Sequence, residues 1–167
     1  MRLAPFSFLG LLAGASASCA RSKAEPPLYT VDQLVPQIEE LNGRTVRVVG
    51  YLGDCAGDSC DLYPREADVA VWKRAFAEIR EKKQFHDPGL SVLGIGPGKI
   101  DDDGFEFDRK AAPFNRTYVV ITGTVDSRCR YKGERGCTDR SPDLQPTSIS
   151  PWRGSSPQDP FHDKGTK

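Results

Sequence analysis

Two stretches of the chain alternate apolar and polar residues with the period of two that is typical of β-strands. They cover residues 44–52 and 117–125, and both are rich in β-branched side chains. In the first stretch the alternation places Val46, Val48 and Leu52 on one face, which should line the core. Shorter apolar runs predict further strands at 61–63, 90–95 and 144–149. The pattern therefore predicts a fold built mainly on a β-sheet.

A helical period is clearest over residues 66–85. One apolar stripe runs along this segment, formed by Val69, Trp72, Phe76 and Ile79. The stripe is predicted to pack into the core, and acidic residues early in the segment and lysines late in it suit the helix dipole. A second, shorter helix is predicted after Thr30, because Gln33 completes a capping box with it. Pro36 should interrupt this helix, which is expected to end at 42–43.

The first residues have the order of a secretory signal peptide. Arg2 precedes an apolar run over residues 3–13, and small residues follow up to Cys19. The run is shorter than the roughly 20 residues that a membrane span needs. Residues 15–17 fit general signal peptidase, which would leave Ser18 first, whereas residues 16–19 resemble a bacterial lipobox that would make Cys19 the lipidated first residue. Both schemes predict export; the lipobox scheme, which we favour below, removes residues 1–18 as the signal peptide.

Cysteine parity favours the lipobox scheme. The chain has five cysteines, namely Cys19, Cys55, Cys60, Cys129 and Cys137. Exported domains tend to hold an even number of cysteines in disulfides, and lipidation of Cys19 leaves four. The four do not have the Cys-x2-Cys spacing of zinc ribbons. We therefore expect disulfides in a lipid-anchored protein of the bacterial periplasm or outer membrane, with a soluble periplasmic protein as the alternative.

Composition and charge divide the mature chain and limit its partners. Residues 19–27 are predicted to be a tether, residues 28–150 the domain, and residues 151–167 a disordered tail rich in proline, glycine, serine and charge. Removing residues 1–18 takes away one arginine and no acid, which leaves 22 basic against 23 acidic side chains. A nearly neutral domain has no general attraction for polyanions, so no nucleic-acid partner is expected.

The two long strand stretches carry a family resemblance. The sequence Leu-Asn-Gly-Arg-Thr-Val-Arg-Val-Val-Gly-Tyr-Leu at 41–52, echoed at 116–125, resembles bacterial exported OB-fold-like proteins, many of which are lipoproteins without assigned activity. The resemblance implies an α+β, mainly β fold: a small OB-like barrel or partly open sheet with one main helix, held by disulfides. The OB barrel places its helix between its third and fourth strands. Here the clearest helix follows the second predicted strand.

The resemblance also bears on disulfide pairing, for which four cysteines allow three arrangements. The first and fourth strands of an OB barrel are antiparallel neighbours. If the stretches 44–52 and 117–125 are those two strands, Cys55 and Cys129 lie at opposite ends of the pair. This favours the local pairs Cys55–Cys60 and Cys129–Cys137.

Motifs that would carry chemistry are incomplete. The acidic run 101–108 would need oxygen donors at 105 and 112 for an EF-hand loop, where the chain has Phe105 and Ala112, so a solvated acidic turn is expected. The glycine-rich segment 94–99 lacks the flanking residues of a phosphate-binding loop. His86 follows a helix and His162 lies in the tail, and no Gly-x-Ser-x-Gly occurs. No catalytic residue, metal site or cofactor is predicted.

These observations favour a non-enzymatic envelope protein that binds another protein or a cell-envelope ligand. On the strand 44–52, Arg47, Val49 and Tyr51 point away from the core face. Arg and Tyr are frequent in binding hot spots, so these three residues are predicted to form a recognition strip. The alternative function is an exported, nuclease-like hydrolase on an OB-type barrel. A pocket that gathers acids, an arginine and a metal would distinguish it.

Overall fold

The computed structural model describes residues 24–82, 88–128, 140 and 142–154, without the side chains of 79, 80 and 82. The strands are β1 Leu28–Thr30, β2 Thr45–Leu52, β3 Asp61–Tyr63, β4 Leu93–Gly94, β5 Ile100–Asp101, β6 Gly104–Phe105, β7 Tyr118–Val125 and β8 Leu144–Pro151. The helices are α1 Val31–Leu34, α2 Glu66–Lys82 and α3 Glu106–Ala111, and 3-10 turns follow at Val35–Gln37 and Ala112–Phe114. The fold is thus α+β and mainly sheet, as predicted.

The main sheet is centred on β2. Its strands run in the order β4-β3-β2-β7-β8, and each pair along this path is antiparallel. The short strand β1 pairs with β2 in parallel, beside the first half of β2. Within the described residues, the two edges approach each other at a parallel bridge between Ile95 and Leu144, and the sheet is not closed into a barrel. Of the two predicted forms, the partly open sheet is therefore correct and the closed barrel is not.

The inner face of the sheet holds the main core. Val46, Val48 and Leu52 of β2 are fully buried there, as their alternation predicts. Side chains from α1 and α3 cover this face; they include Val31, Leu34, Phe107 and Ala111. The fold therefore buries one face of β2 under two short helices and leaves the opposite face for α2.

The capping box at α1 is confirmed. The Thr30 backbone N–H donates to Gln33 Oε1 at 2.9 Å, and the Gln33 backbone N–H donates to Thr30 Oγ1 at 3.2 Å. Two backbone donors that a helix start leaves free are thereby satisfied. The helix then tightens into a 3-10 turn at Pro36, where the sequence predicts an interruption.

Helix α2 lies on the outer face of the sheet. The prediction that its apolar stripe packs into the core is wrong for Phe76. Tyr51, Tyr63 and Trp72 form a small buried cluster with Val69 packed against it. Trp72 is 9% exposed, whereas Phe76 is 51% exposed. The strand beneath, β3, spans only about 10 Å against about 26 Å for the helix, so the sheet cannot cover the whole stripe. The side chain of Ile79 lies outside the described residues.

The acidic run 101–108 forms an exposed turn at its start, as predicted, and then differs from the prediction. The short strands β5 and β6 form a hairpin, and α3 begins immediately after it. Phe107 and Ala111 are four residues apart, and both are buried in the main core. Only two apolar residues mark this helix, so its period is too short to stand out in the sequence.

The last strand is longer than the one predicted at 144–149. β8 continues to Pro151, and the backbone N–H of Trp152 donates to the Tyr118 carbonyl at 2.9 Å. Cys55 and Cys60 pair at disulfide-bonding distance, with their Cα atoms 4.1 Å apart. The signal segment, the lipidation candidate Cys19, the predicted pair Cys129–Cys137, both histidines and residues 155–167 lie outside the described ranges.

Candidate functional site

The predicted recognition strip on β2 is largely covered. Arg47, Val49 and Tyr51 do lie on the face opposite the main core, but Val49 is 1% exposed and Tyr51 is 7% exposed. Arg47 forms an ion pair with Glu25 of the N-terminal segment. As a binding site the strip stays a prediction. Tyr51, however, also lines a surface cleft that the sequence does not predict.

This cleft, here called the α2 cleft, lies between the first half of α2 and two neighbouring strand ends. These are the C-terminal end of β2 and the N-terminal end of β7. Its first lobe has a volume of about 420 Å³. The lobe is lined chiefly by Tyr51, Asp54, Glu66, Val69, Lys73 and Arg116. A second lobe of about 250 Å³ shares Asp54, Val69 and Lys73 and reaches Asp61 and Tyr63. The two lobes flank one group of charges.

That group consists of one carboxylate and two cations. Arg116 donates from Nε to Asp54 Oδ1 at 2.9 Å and from Nη2 to Oδ2 at 3.0 Å. Lys73 Nζ lies 3.6 Å from Asp54 Oδ2. The hydrogen bonds from Arg116 hold the pKa of Asp54 below its usual range, so this carboxyl stays ionised. All three side chains are well exposed, at 45% for Asp54, 65% for Lys73 and 70% for Arg116.

Arg116 is held in an unusual backbone conformation. Its φ is 61°, and in the described part of the chain it is the sole residue other than glycine with positive φ. The Arg116 backbone N–H donates to the Leu52 carbonyl at 3.0 Å, which fixes the turn against the end of β2. Left-handed conformations are costly for a residue with a Cβ, and such outliers concentrate at functional sites. The turn therefore aims this guanidinium at the cleft.

Two paired tyrosines lie beside the start of α2, and one of them, Tyr51, lines the first lobe. Tyr51 and Tyr118 face each other across β2 and β7, with ring centroids 5.2 Å apart in an edge-to-face arrangement. The Tyr51 hydroxyl donates to Glu66 Oε1 at 3.4 Å, and the Glu66 backbone N–H donates to the Tyr118 hydroxyl at 3.4 Å. Burial, reinforced by the Glu66 carboxylate, raises the pKa of Tyr51. The phenols thus tie the start of α2 to the sheet.

The second lobe holds a carboxyl with the opposite behaviour. Burial raises the pKa of Asp61, although the Ser59 hydroxyl donates to its Oδ2 at 3.4 Å. Burial likewise raises the pKa of Tyr63, and the neighbouring Asp61 carboxylate adds to the shift. The cleft therefore contains two carboxyls whose pKa values are displaced in opposite directions, lowered for Asp54 and raised for Asp61.

The loop 53–60, which carries Asp54 and the Cys55–Cys60 pair, is fixed from outside the cleft. The Cys55 backbone N–H donates to Asn115 Oδ1 at 3.2 Å, and the Gly57 backbone N–H donates to Asp108 Oδ2 at 3.0 Å. Arg140, with 7% of its side chain exposed, pairs with Asp108 and donates to carbonyls of the loop and of the segment after β4. One wall of the cleft is thus a preorganised loop.

The cleft presents charged side chains next to apolar ones. In the described ranges no group of three or more His, Cys, Asp or Glu side chains is placed to hold a metal ion. None of the helices described there has the length and apolar character needed to cross a membrane.

Sequence reasoning identifies Tyr51 but misses Asp54, Lys73 and Arg116. The available signal is their position: Asp54 and Arg116 each lie just outside the end of a long strand, where binding residues often occur. The rest of the signal is tertiary, since 62 positions separate the two partners of the ion pair. No family model, no curated protein and no solved structure matches this chain.

Proposed function

We propose that this chain is an exported, lipid-anchored envelope protein that acts as a non-enzymatic binding module, with the α2 cleft as its binding site. The observation that carries the proposal is the convergence of Asp54, Lys73 and Arg116 beside Tyr51 in a cleft of about 420 Å³. Ligand sites commonly have volumes of roughly 300–1,000 Å³, a largely apolar lining and a few placed polar groups.

Export and anchoring are supported by the first 19 residues. The basic, apolar and small-residue order of residues 1–18 fits a signal peptide, and Cys19 closes a lipobox-like sequence. The pairing of Cys55 with Cys60 suits an oxidising compartment. Under this proposal, residues 19–27 connect the lipid to the domain.

An OB-like arrangement is supported by the strand connections. β2 pairs with both β3 and β7, and β7 pairs with β8, as the first, second, fourth and fifth strands of an OB barrel do. The Ile95–Leu144 bridge is parallel and lies where the third and fifth strands of such a barrel meet. Helix α3 falls between β4 and β7, the usual place of the OB helix, so α2 is an added helix.

This arrangement puts the cleft beside an expected binding surface. OB folds bind ligands on the face of their second and third strands and through the loop after the first strand. Here that loop is 53–60, which carries Asp54 into both lobes of the cleft. The added helix α2 makes this surface into a cleft by providing Val69 and Lys73 as the opposite wall.

The anchoring part of the proposal is tested by mass spectrometry. Intact protein extracted from membranes is expected to begin at Cys19 and to carry diacylglycerol, and the Cys19→Ser variant is expected to lack it. A mature protein that begins at Ser18 in the soluble periplasmic fraction contradicts the anchor.

The binding part is tested by crosslinked capture of envelope partners with wild type and three variants. Lys73→Gln and Arg116→Gln remove cleft cations and should lose the partners that wild type captures. Arg109→Gln is the matched control, because Arg109 forms a similar two-point pair with Asp101 on the surface away from the cleft. If all three variants retain every partner, the cleft is not the binding site.

A hydrolase is the second candidate function, because Asp54 and Asp61 line the same lobe with pKa values displaced in opposite directions. Acid and base catalysts are separated in this way. Hydrolysis of bis(p-nitrophenyl) phosphate, assayed with and without divalent cations, tests it. Turnover that both Asp54→Asn and Asp61→Asn abolish supports the hydrolase, and the absence of turnover in wild type counts against it.

A further inference from the structure

We infer that the first lobe of the α2 cleft selects organic anions, holding a carboxylate or phosphate group between Arg116 and Lys73 and an apolar body against Val69 and Tyr51. This inference rests on the proposed function and specifies the chemistry of its ligand. It comes from the charges and donors that the lobe leaves uncommitted.

The first argument is a count of hydrogen-bond donors. A guanidinium has five N–H donors. Asp54 accepts from Nε and from Nη2 of Arg116, so three N–H groups remain. No acceptor for these three is found in the described part of the chain. Three of the five N–H donors of the guanidinium are therefore available to a second acceptor in the cleft.

Lys73 is engaged even more loosely. Its ammonium lies 3.6 Å from Asp54 Oδ2, beyond the 2.7–3.2 Å of a normal N–H···O hydrogen bond. It is the second cation directed at a single carboxylate, so the group of Asp54, Lys73 and Arg116 carries a local excess of one positive charge. Glu66, the other carboxylate that lines the lobe, accepts from the Tyr51 hydroxyl, so the four charged residues of the lobe balance one another and the positive excess is local to the group of Asp54, Lys73 and Arg116. An anion placed between the two cations balances this excess.

The backbone of Arg116 is the independent observation. A glycine would adopt φ of 61° without steric cost, yet the position holds an arginine whose side chain is 70% exposed. An exposed ion pair contributes little to stability, so the pair with Asp54 does not account for the arginine. Strained positions that the fold maintains are typical of ligand-binding sites. A ligand for the guanidinium accounts for both its placement and its exposure.

The rest of the lobe indicates what the anion is attached to. Val69 and Ala70 on α2 and the ring of Tyr51 on β2 provide an apolar surface next to the cations. A small inorganic anion leaves that surface uncovered, whereas an aromatic or aliphatic acid covers it. We therefore expect the charged group and the apolar body to contribute together.

The experiment is an NMR titration of the purified full chain with three probes. Phenylacetate and phenyl phosphate are the two anions, which distinguish a carboxylate from a phosphate site, and phenylacetamide is the neutral analogue of phenylacetate. At least one anion is expected to shift the amide signals of Gly53, Asp54 and Val69 with a millimolar dissociation constant. It should bind about tenfold more tightly than phenylacetamide, a difference of about 1.4 kcal/mol.

Variants locate the binding. Lys73→Gln and Arg116→Gln should each weaken anion binding about tenfold and leave phenylacetamide unchanged. Asp54→Asn, which removes the competing carboxylate, should strengthen it. Arg109→Gln is the control and should have no effect, because Arg109 pairs with Asp101 outside the cleft. Lys73 is exposed on a helix, so its replacement keeps the fold and allows the test even if Arg116→Gln unfolds the turn.

Three results overturn the inference: no probe binds, phenylacetamide binds as tightly as the anions, or Arg109→Gln weakens anion binding as much as Lys73→Gln. These results are separable from failure of the proposed function. If Lys73→Gln still loses captured envelope partners while anions show no preference, the cleft is a binding site and only its ligand class is wrong.

Discussion

Arg116 shows how one residue can be placed against its own conformational preference. Removing its side chain allows a direct test, because Arg116→Ala and Arg116→Gly both lose the pair with Asp54 but differ in backbone cost. Alanine keeps a Cβ at φ of 61°, whereas glycine does not. We expect Arg116→Ala to be less stable than Arg116→Gly by about 1 kcal/mol.

Urea denaturation of the two variants, with equal slopes and different midpoints, measures this difference. Equal midpoints would mean that residue 116 is not held in the left-handed region in solution.

Asp61 gives a prediction about pH at the same scale. Burial raises its pKa in the folded protein, so its contribution to stability is full below the unfolded value of about 3.9 and is lost as pH rises through the folded value. Asp61→Asn cannot ionise and keeps an oxygen that can accept from Ser59. The variant should therefore melt at a higher temperature than wild type near neutral pH, and at about the same temperature near pH 3.

Asp126→Asn is the control, for which we expect the opposite change in melting temperature. Hydrogen bonds from Arg128 lower the pKa of Asp126, so its stabilising contribution is present above the unfolded value and is lost as pH falls through the folded one. This variant should melt below wild type near neutral pH. If Asp61→Asn also melts lower there, the partly buried Asp61 carboxyl is not desolvated enough in solution to raise its pKa.

At the scale of elements, the packing of α2 against the sheet is centred on one aromatic residue, Trp72, and does not involve the whole predicted stripe. Trp72 is buried with Tyr51 and Tyr63, while Phe76, one turn on, is half exposed. Trp72→Ala should cost about 3–5 kcal/mol in the free energy of unfolding. Phe76→Ala should cost less, about 1 kcal/mol, because its half-exposed ring contacts Trp72 at a centroid distance of 5.5 Å. Chemical denaturation measures both, and similar losses for the two variants would contradict the described packing.

The elements also show which features the sequence can predict. β2 and β7 follow from their own alternation, and the capping box of α1 needs only residues 30 and 33. Such features depend on neighbours along the chain. Phe76 and the α2 cleft depend on how far the sheet extends beneath a helix and on which strand ends meet. Asp54 and Arg116 come together only because β2 and β7 are antiparallel neighbours, and no local pattern contains that information.

At the scale of the whole molecule, β1 sets the end of the sheet at which the N-terminal segment enters. β1 runs parallel to β2, with Leu28 beside Arg47 and Thr30 beside Val49. The chain before β1 therefore extends toward the start of β2, whereas the cleft begins at Tyr51 near its end. Arg47 and Tyr51 are four positions apart along the strand, about 13 Å. With a lipid at Cys19, the cleft opens at the end of the sheet remote from the tether.

The parallel pairing of β1 has a mechanical consequence as well. A pull on an anchored N-terminus acts along β1, so the hydrogen bonds between β1 and β2 bear the load together, in shear, instead of opening one at a time. The Arg47 N–H to Pro27 carbonyl bond and the Glu25–Arg47 ion pair lie first in line. When a single molecule is stretched with residue 19 as one point of attachment, we expect the domain to unfold in one abrupt step. Arg47→Ala should lower the force at which this step occurs. Gradual peeling at low force would contradict this. Under the proposed anchoring at Cys19, the short first strand would act as a mechanical clamp between membrane and domain.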